Sequence, residues 1–191
     1  DGDGIGDACE SVAPVCVTVQ RGAFGEVADG YLWEARPDLG SFTASGFRTG
    51  LWTHPGYGAG ETRALLRFEL DFLAGGAVVE SATLGVEQRP PGTGETVHVY
   101  RITEPWSEAL GPTWNSFANA YDSAVSWGSF ESTGGVVTAD VTALVQAWVD
   151  GAHANYGLML INDPAQAVDY YISSDYGVVP RRPWLEVCYV N

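Results

Sequence analysis

The chain has 191 residues, with 24 acidic side chains against nine basic ones, a formal charge of −15 and no lysine. Phosphate polymers and anionic membranes need clustered positive charge, so the balance speaks against nucleic acid, and no apolar run approaches the roughly 18 residues of a membrane span. The length suits one sizeable core, and 24 Gly, 10 Pro, 7 Trp and 9 Tyr predict short strands joined by tight turns, an all-β antiparallel sandwich.

The sequence opens DGDGIGDACE. A calcium loop of about twelve residues offers alternate oxygens, a closing acid and a glycine at its sharp turn. Setting Gly4 at that turn makes Asp1, Asp3, the Ile5 carbonyl, Asp7 and Glu10 the ligands of a structural Ca2+, with the first ligand of the loop falling before Asp1. The alternative is a plain acidic linker. The run D-x-D-G-x-G-D-x-C resembles the end of a thrombospondin type 3 repeat, an extracellular calcium-binding array. That resemblance implies upstream repeats, and the missing initiator methionine agrees with a piece of a longer precursor. Residues 1–14 are expected to form an appendage or arm, and residues 15–191 the domain.

Cysteine occurs at Cys9, Cys16 and Cys188. Alternation places Cys16 in VCVTV beside Thr18 and Gln20, and Cys188 in WLEVCYV beside Glu186, on the polar faces of the first and last strands. If those strands are neighbours, a Cys16–Cys188 disulfide closes the domain, worth on the order of 4 kcal/mol by loop entropy. The competing pairing is Cys9–Cys16. Either implies an oxidising compartment.

Residues 30–60 are glycine-rich and weakly patterned, and GYGAG at 56–60 reads as a mobile loop because no helix follows to complete a phosphate cradle. Beyond them the alternation is clear. In ALLRFEL, Leu66, Phe68 and Leu70 oppose Arg67 and Glu69; in SATLGVE, Ala82, Leu84 and Val86 oppose Thr83 and Glu87. ETVHVYRI, YGLMLIN, VDYYIS and WLEVCYV are further strands, separated by breakers such as RPPGTG and VVPRRP. One segment differs: TADVTALVQAWVDG sets Val141, Leu144, Val145, Trp148 and Val149 at helical spacing, with Asp140 as N-cap and Gly151 as stop. One short helix near 141–149 is predicted, with Trp148 buried.

The stretches ALLRFEL, SATLGV, VYRITEPWSE, TWNSF, DVTALVQAWVDGAHANYGLML and RRPWLEVCY together resemble the DNRLRE domain family, secreted β-sandwich modules of prokaryotic surface proteins. Asp29, Arg63, Leu66, Arg67 and Glu108 fall on its signature positions, whereas PDLGS lacks the expected asparagine before glycine. The resemblance implies a jelly-roll-like fold related to carbohydrate-binding modules, one branch being associated with alginate, and it implies no catalysis.

The residues themselves speak against an enzyme. His54, His98 and His153 lack metal-ligand spacing, no G-x-S-x-G elbow occurs, and acids are too abundant for a close pair to inform. Sugar binding needs exposed aromatic rings beside polar groups. Trp106, Trp114, Trp127 and Trp148 are read as core. Trp33, Trp52 and Tyr57 are the candidates for an exposed platform, with Arg36, Arg48 and Arg63 nearby to meet an acidic glycan; the competing reading is that these rings fold down as a private core. The main expectation is a non-catalytic extracellular or cell-surface module for adhesion or matrix assembly. Its partners would be itself or other surface proteins, and the free arm before VCVTV would propagate a filament. The alternative is a carbohydrate-binding module taking an extracellular polysaccharide.

Overall fold

The computed structural model describes residues 13–191. The calcium ligands expected at Asp1, Asp3, Ile5, Asp7 and Glu10, and also Cys9, lie outside that range. The described chain is an antiparallel β-sandwich. Its strands are β1 (Val15–Val19), β2 (Val27–Trp33), β3 (Gly40–Ser41), β4 (Gly46–His54), β5 (Gly58–Phe68), β6 (Val78–Gln88), β7 (Thr96–Ile102), β8 (Tyr121–Glu131), β9 (Gly135–Asp140), β10 (Leu158–Asn162), β11 (Val168–Ile172) and β12 (Trp184–Val190). Helices α1 (Trp114–Phe117) and α2 (Thr142–Val149) interrupt them.

One layer runs β3–β2–β5–β10–β7–β8. The other runs β1–β12–β6–β9, and β11 meets the far end of β6 and pairs onward with β4. Strand β4 then pairs with β5 across the turn at Pro55–Tyr57, so a single hairpin joins the two layers. GYGAG is therefore the hairpin turn and the start of β5, not a loop.

The core between the layers takes alternate residues of each strand: Leu66 and Phe68 from β5, Leu158 and Leu160 from β10, Leu84 and Val86 from β6, Leu185 and Val187 from β12. The intervening Leu65, Met159, Ile161 and Leu32 point the other way, into a second core under Trp106 and Phe117. Residues 103–120 thus cover the outer face of the first layer, which explains why YGLMLIN is apolar without alternation. Arg67 donates to the Trp106 carbonyl at 2.8 Å, and Arg63 to the Ala118 carbonyl at 2.6 Å. Arg63 and Arg67 are thereby clasps that hold this cover down.

Helix α2 packs near β6: Gln146 accepts the Val79 N–H at 2.7 Å and Thr142 accepts that of Ala82 at 2.8 Å. Asp140 stands one residue before the Val141 cap position and accepts from the Thr142 hydroxyl and N–H, at 2.6 and 2.9 Å; these bonds hold its carboxyl below the usual range. Trp148 is half-buried rather than buried, as are Trp114 and Trp127, because α2 lies at the rim of the core; of the four tryptophans expected inside, only Trp106 is fully covered.

Cys16 and Cys188 are register partners in β1 and β12, with Cα atoms 4.0 Å apart, and form a disulfide on the outer face. Val17 and Val19, of opposite phase, pack inward.

Candidate functional site

The open hairpin corner gathers five of the ring-bearing residues of 30–60, while Phe42 and Phe47 go into the cores. Tyr31 and Trp33 come from β2, Trp52 and His54 from β4, and Tyr57 from the turn between β4 and β5. They line an open cleft of about 280 Å³ with Arg36, Leu39, Gly40 and Ser41. The Trp33 and Trp52 rings lie 4.1 Å apart, centroid to centroid, and the Tyr57 ring stands on edge to Trp33 at 5.7 Å. Trp33 is only 5% exposed, whereas Tyr57 is 51% exposed. The expectation of an exposed platform is therefore corrected for Trp33, whose phase on β2 turns it into the core, where it backs the half-buried Trp52. Rings packed on one another lose little freedom when a ligand settles on them.

Cations rim these rings. The Arg36 guanidinium lies 4.5 Å from the Tyr57 ring centroid, and that of Arg48 lies 4.1 Å from Trp52, while also donating to the Tyr31 hydroxyl. Trp33, Trp52, Tyr57, Arg36 and Arg48 are thus brought together in space. Arg63 is not: it is paired with Glu61 at 2.7 Å and stacked on Trp114, on the second core's side. His54 was not singled out by the sequence, yet its ring lies 5.4 Å from Trp52 and 5.0 Å from Tyr57. Its Nδ1 accepts the Gly56 N–H at 3.0 Å, which leaves the neutral ring's proton on Nε2. The spacing of Trp52 and His54, two apart on one strand, was the available signal.

Among the described residues lining the cleft none is acidic, so this lining offers flat apolar faces and hydrogen-bond donors but no carboxylate pair for acid–base work. The other histidines stand elsewhere, His98 beside Ser126 and His153 beside Trp127. Among the described residues no helix is long and apolar enough to cross a membrane.

The sandwich thus carries a cleft floored by aromatic rings, with guanidinium groups at its rim. The family model of carbohydrate-binding module family 96 matches residues 41–186, and the chain belongs to that family. The matched span takes in Arg48, Trp52, His54 and Tyr57, and begins after Trp33 and Arg36. No curated protein matches the chain. The DNRLRE and thrombospondin-repeat likenesses remain resemblances.

Proposed function

We propose that this protein is a non-catalytic, extracellular carbohydrate-binding module that seats a sugar unit of a polysaccharide on Trp52 and Tyr57. Trp33 supports the floor, and Arg36, Arg48 and His54 donate to hydroxyl or acidic groups of the sugar. The observation that carries this reading is the Trp33–Trp52–Tyr57 cluster at one open cleft, within a chain of a carbohydrate-binding family. An aromatic face meets the apolar C–H face of a pyranose, while directed donors select its substituents. The Cys16–Cys188 bond supports an oxidising location.

Affinity-gel electrophoresis on a polysaccharide panel tests it. Tyr57→Ala is expected to abolish retardation with an unchanged melting temperature, since the ring is exposed; equal retardation of the variant and the parent on every retarding glycan would reject the site.

The adhesive or filamentous reading needs strand-forming residues free for a neighbour. Val15–Val19 is instead paired with its own β12 and tied by the disulfide, so lending it as an arm to a neighbour would first have to break this pairing, although it ends the sheet and its outer edge is unpaired among the described residues. Calcium ordering of the opening loop stays part of the proposal, and a melt that shifts downward in EDTA is its expected sign.

A further inference from the structure

Across Arg48 from the aromatic cleft lies a second cavity of about 160 Å³, whose lining includes Ser45, Gly46, Arg48, Arg89, Tyr170 and Tyr171. Arg48 is the wall between the two. Its guanidinium carbon lies 4.1 Å from the Trp52 ring centroid and 5.0 Å from that of Tyr31 on one side, and 5.0 Å from that of Tyr170 on the other. Strand register produces this arrangement. Tyr170 of β11 is paired with Arg48 of β4, and the next pair, Tyr171 with Phe47, turns inward and stacks in the core. Outward phase therefore leaves one tyrosine ring and one guanidinium side by side at the surface.

Arg89 completes the cavity. It follows β6, is exposed, and its side chain makes no ion pair or hydrogen bond among the described residues. Arg21, Arg63, Arg101 and Arg181 are each matched to a carboxylate. Of the other arginines, Arg67 and Arg182 donate to backbone carbonyls, which leaves Arg36, Arg48 and Arg89, all along the two cavities, with neither an acid nor a carbonyl partner among the described residues. Their summed field favours an anion there despite the negative net charge.

We propose that the second cavity is a further sugar subsite for an anionic unit, carboxylated or sulfated, of the same polymer whose neighbouring unit lies on Trp52 and Tyr57. Tyr170 supplies the ring face, and the planar fork of Arg89 meets the anionic group. The proposal rests on reading the aromatic cleft as a glycan site, and it makes the ligand an interior stretch of an acidic chain.

Titration calorimetry on the whole chain tests it, with a hexauronate, a sulfated galactan hexamer and neutral cellohexaose as probes. Arg89→Gln is expected to weaken binding of the preferred anionic hexamer about tenfold, the scale of one charge-assisted hydrogen bond, and to flatten its salt dependence. Arg89→Lys should restore part of the loss and Tyr170→Ala reproduce it. Which anionic hexamer binds tighter assigns carboxylate or sulfate. Unchanged affinity in both Arg89→Gln and Tyr170→Ala, with loss in Tyr57→Ala, overturns the second subsite and leaves the first standing. Cellohexaose binding as tightly as either anionic hexamer overturns the anionic assignment, and a parent protein that binds no probe overturns both readings.

Discussion

The Glu108 carboxylate accepts the backbone N–H of Asp29 at 3.0 Å, so one acid is fixed beside another that is itself only 1% exposed. The Asp29 carboxylate accepts the Ser174 N–H at 2.5 Å, which ties β2 to the segment after β11. Burial, opposed by the Ser174 bonds and reinforced by the nearby Glu108 and Asp175 charges, pushes the Asp29 carboxyl up to about 7. Arg21 offsets part of that charge through ion pairs to Glu108 at 3.5 Å and Asp175 at 3.0 Å.

A folded-state value above the ordinary 3.8 means that the native state holds a proton which the unfolded chain has already released. Stability from this group is fully present below about pH 4 and falls as pH rises toward 7, at about 1.4 kcal/mol per unit of displacement. Asp29→Asn is expected to flatten this part of the stability profile and to raise the melting temperature at pH 8 relative to the parent. Denaturant melts from pH 4 to 8 measure it, and parallel profiles for the two proteins would contradict the assignment.

Asp169 is another buried acid, and it is rich in donors. Gln88 and Ser132 each donate to it at 2.6 Å, and Asn162 and the Thr93 hydroxyl at 2.9 Å. It therefore binds β6, β10, β11 and the segments around Thr93 and Ser132 at one point. Asp169→Ala leaves these donors buried and unanswered, and should cost about 3 kcal/mol or more in chemical denaturation.

The Cys16–Cys188 bond closes nearly the whole domain, with a separation of 172 residues. Loop entropy gives it about 4–5 kcal/mol, at the upper end of what single disulfides contribute. A Cys16→Ser, Cys188→Ser double variant should melt well below the parent while keeping the same far-ultraviolet circular dichroism at low temperature, because Val17 and Val19 still hold β1 to the core.

Trp184 lies over Gly85, its register partner across β12 and β6. A Cβ on Gly85 would come within 2.1 Å of the indole ring. Gly85→Ala must therefore displace the tryptophan, with an expected loss of about 1–3 kcal/mol and a shifted tryptophan emission maximum. An Ala variant with parental stability and emission would show that the ring moves freely.

The strands that could be read in advance, such as Leu66, Phe68 and Leu70 against Arg67, bury one face along their length, and burial of one face is what writes a two-residue period into a sequence. Strands β8 and β9 lacked a clear period. Much of β8 is exposed at the edge of its layer, and β9 is a short edge strand beside β6. The candidate rings were legible as a group because Trp33, Trp52 and Tyr57 stood in a stretch too irregular to be simple core. Their division of labour was not, since Trp33's inward turn depends on which layer β2 joins.

The sequence by itself determined the alternating strands of a sandwich and the one long helical segment, because periodicity and phase are local properties that each element carries alone; that Cys16 meets Cys188 followed only from the pairing of β1 with β12. Only the tertiary structure decided that Arg63 and Arg67 clasp a cover whereas Arg48 divides two cavities, and that His54 joins the aromatic cluster. A side chain's surroundings come from strands distant in the chain, and the pairing that brings them together is fixed by burying both layers at once.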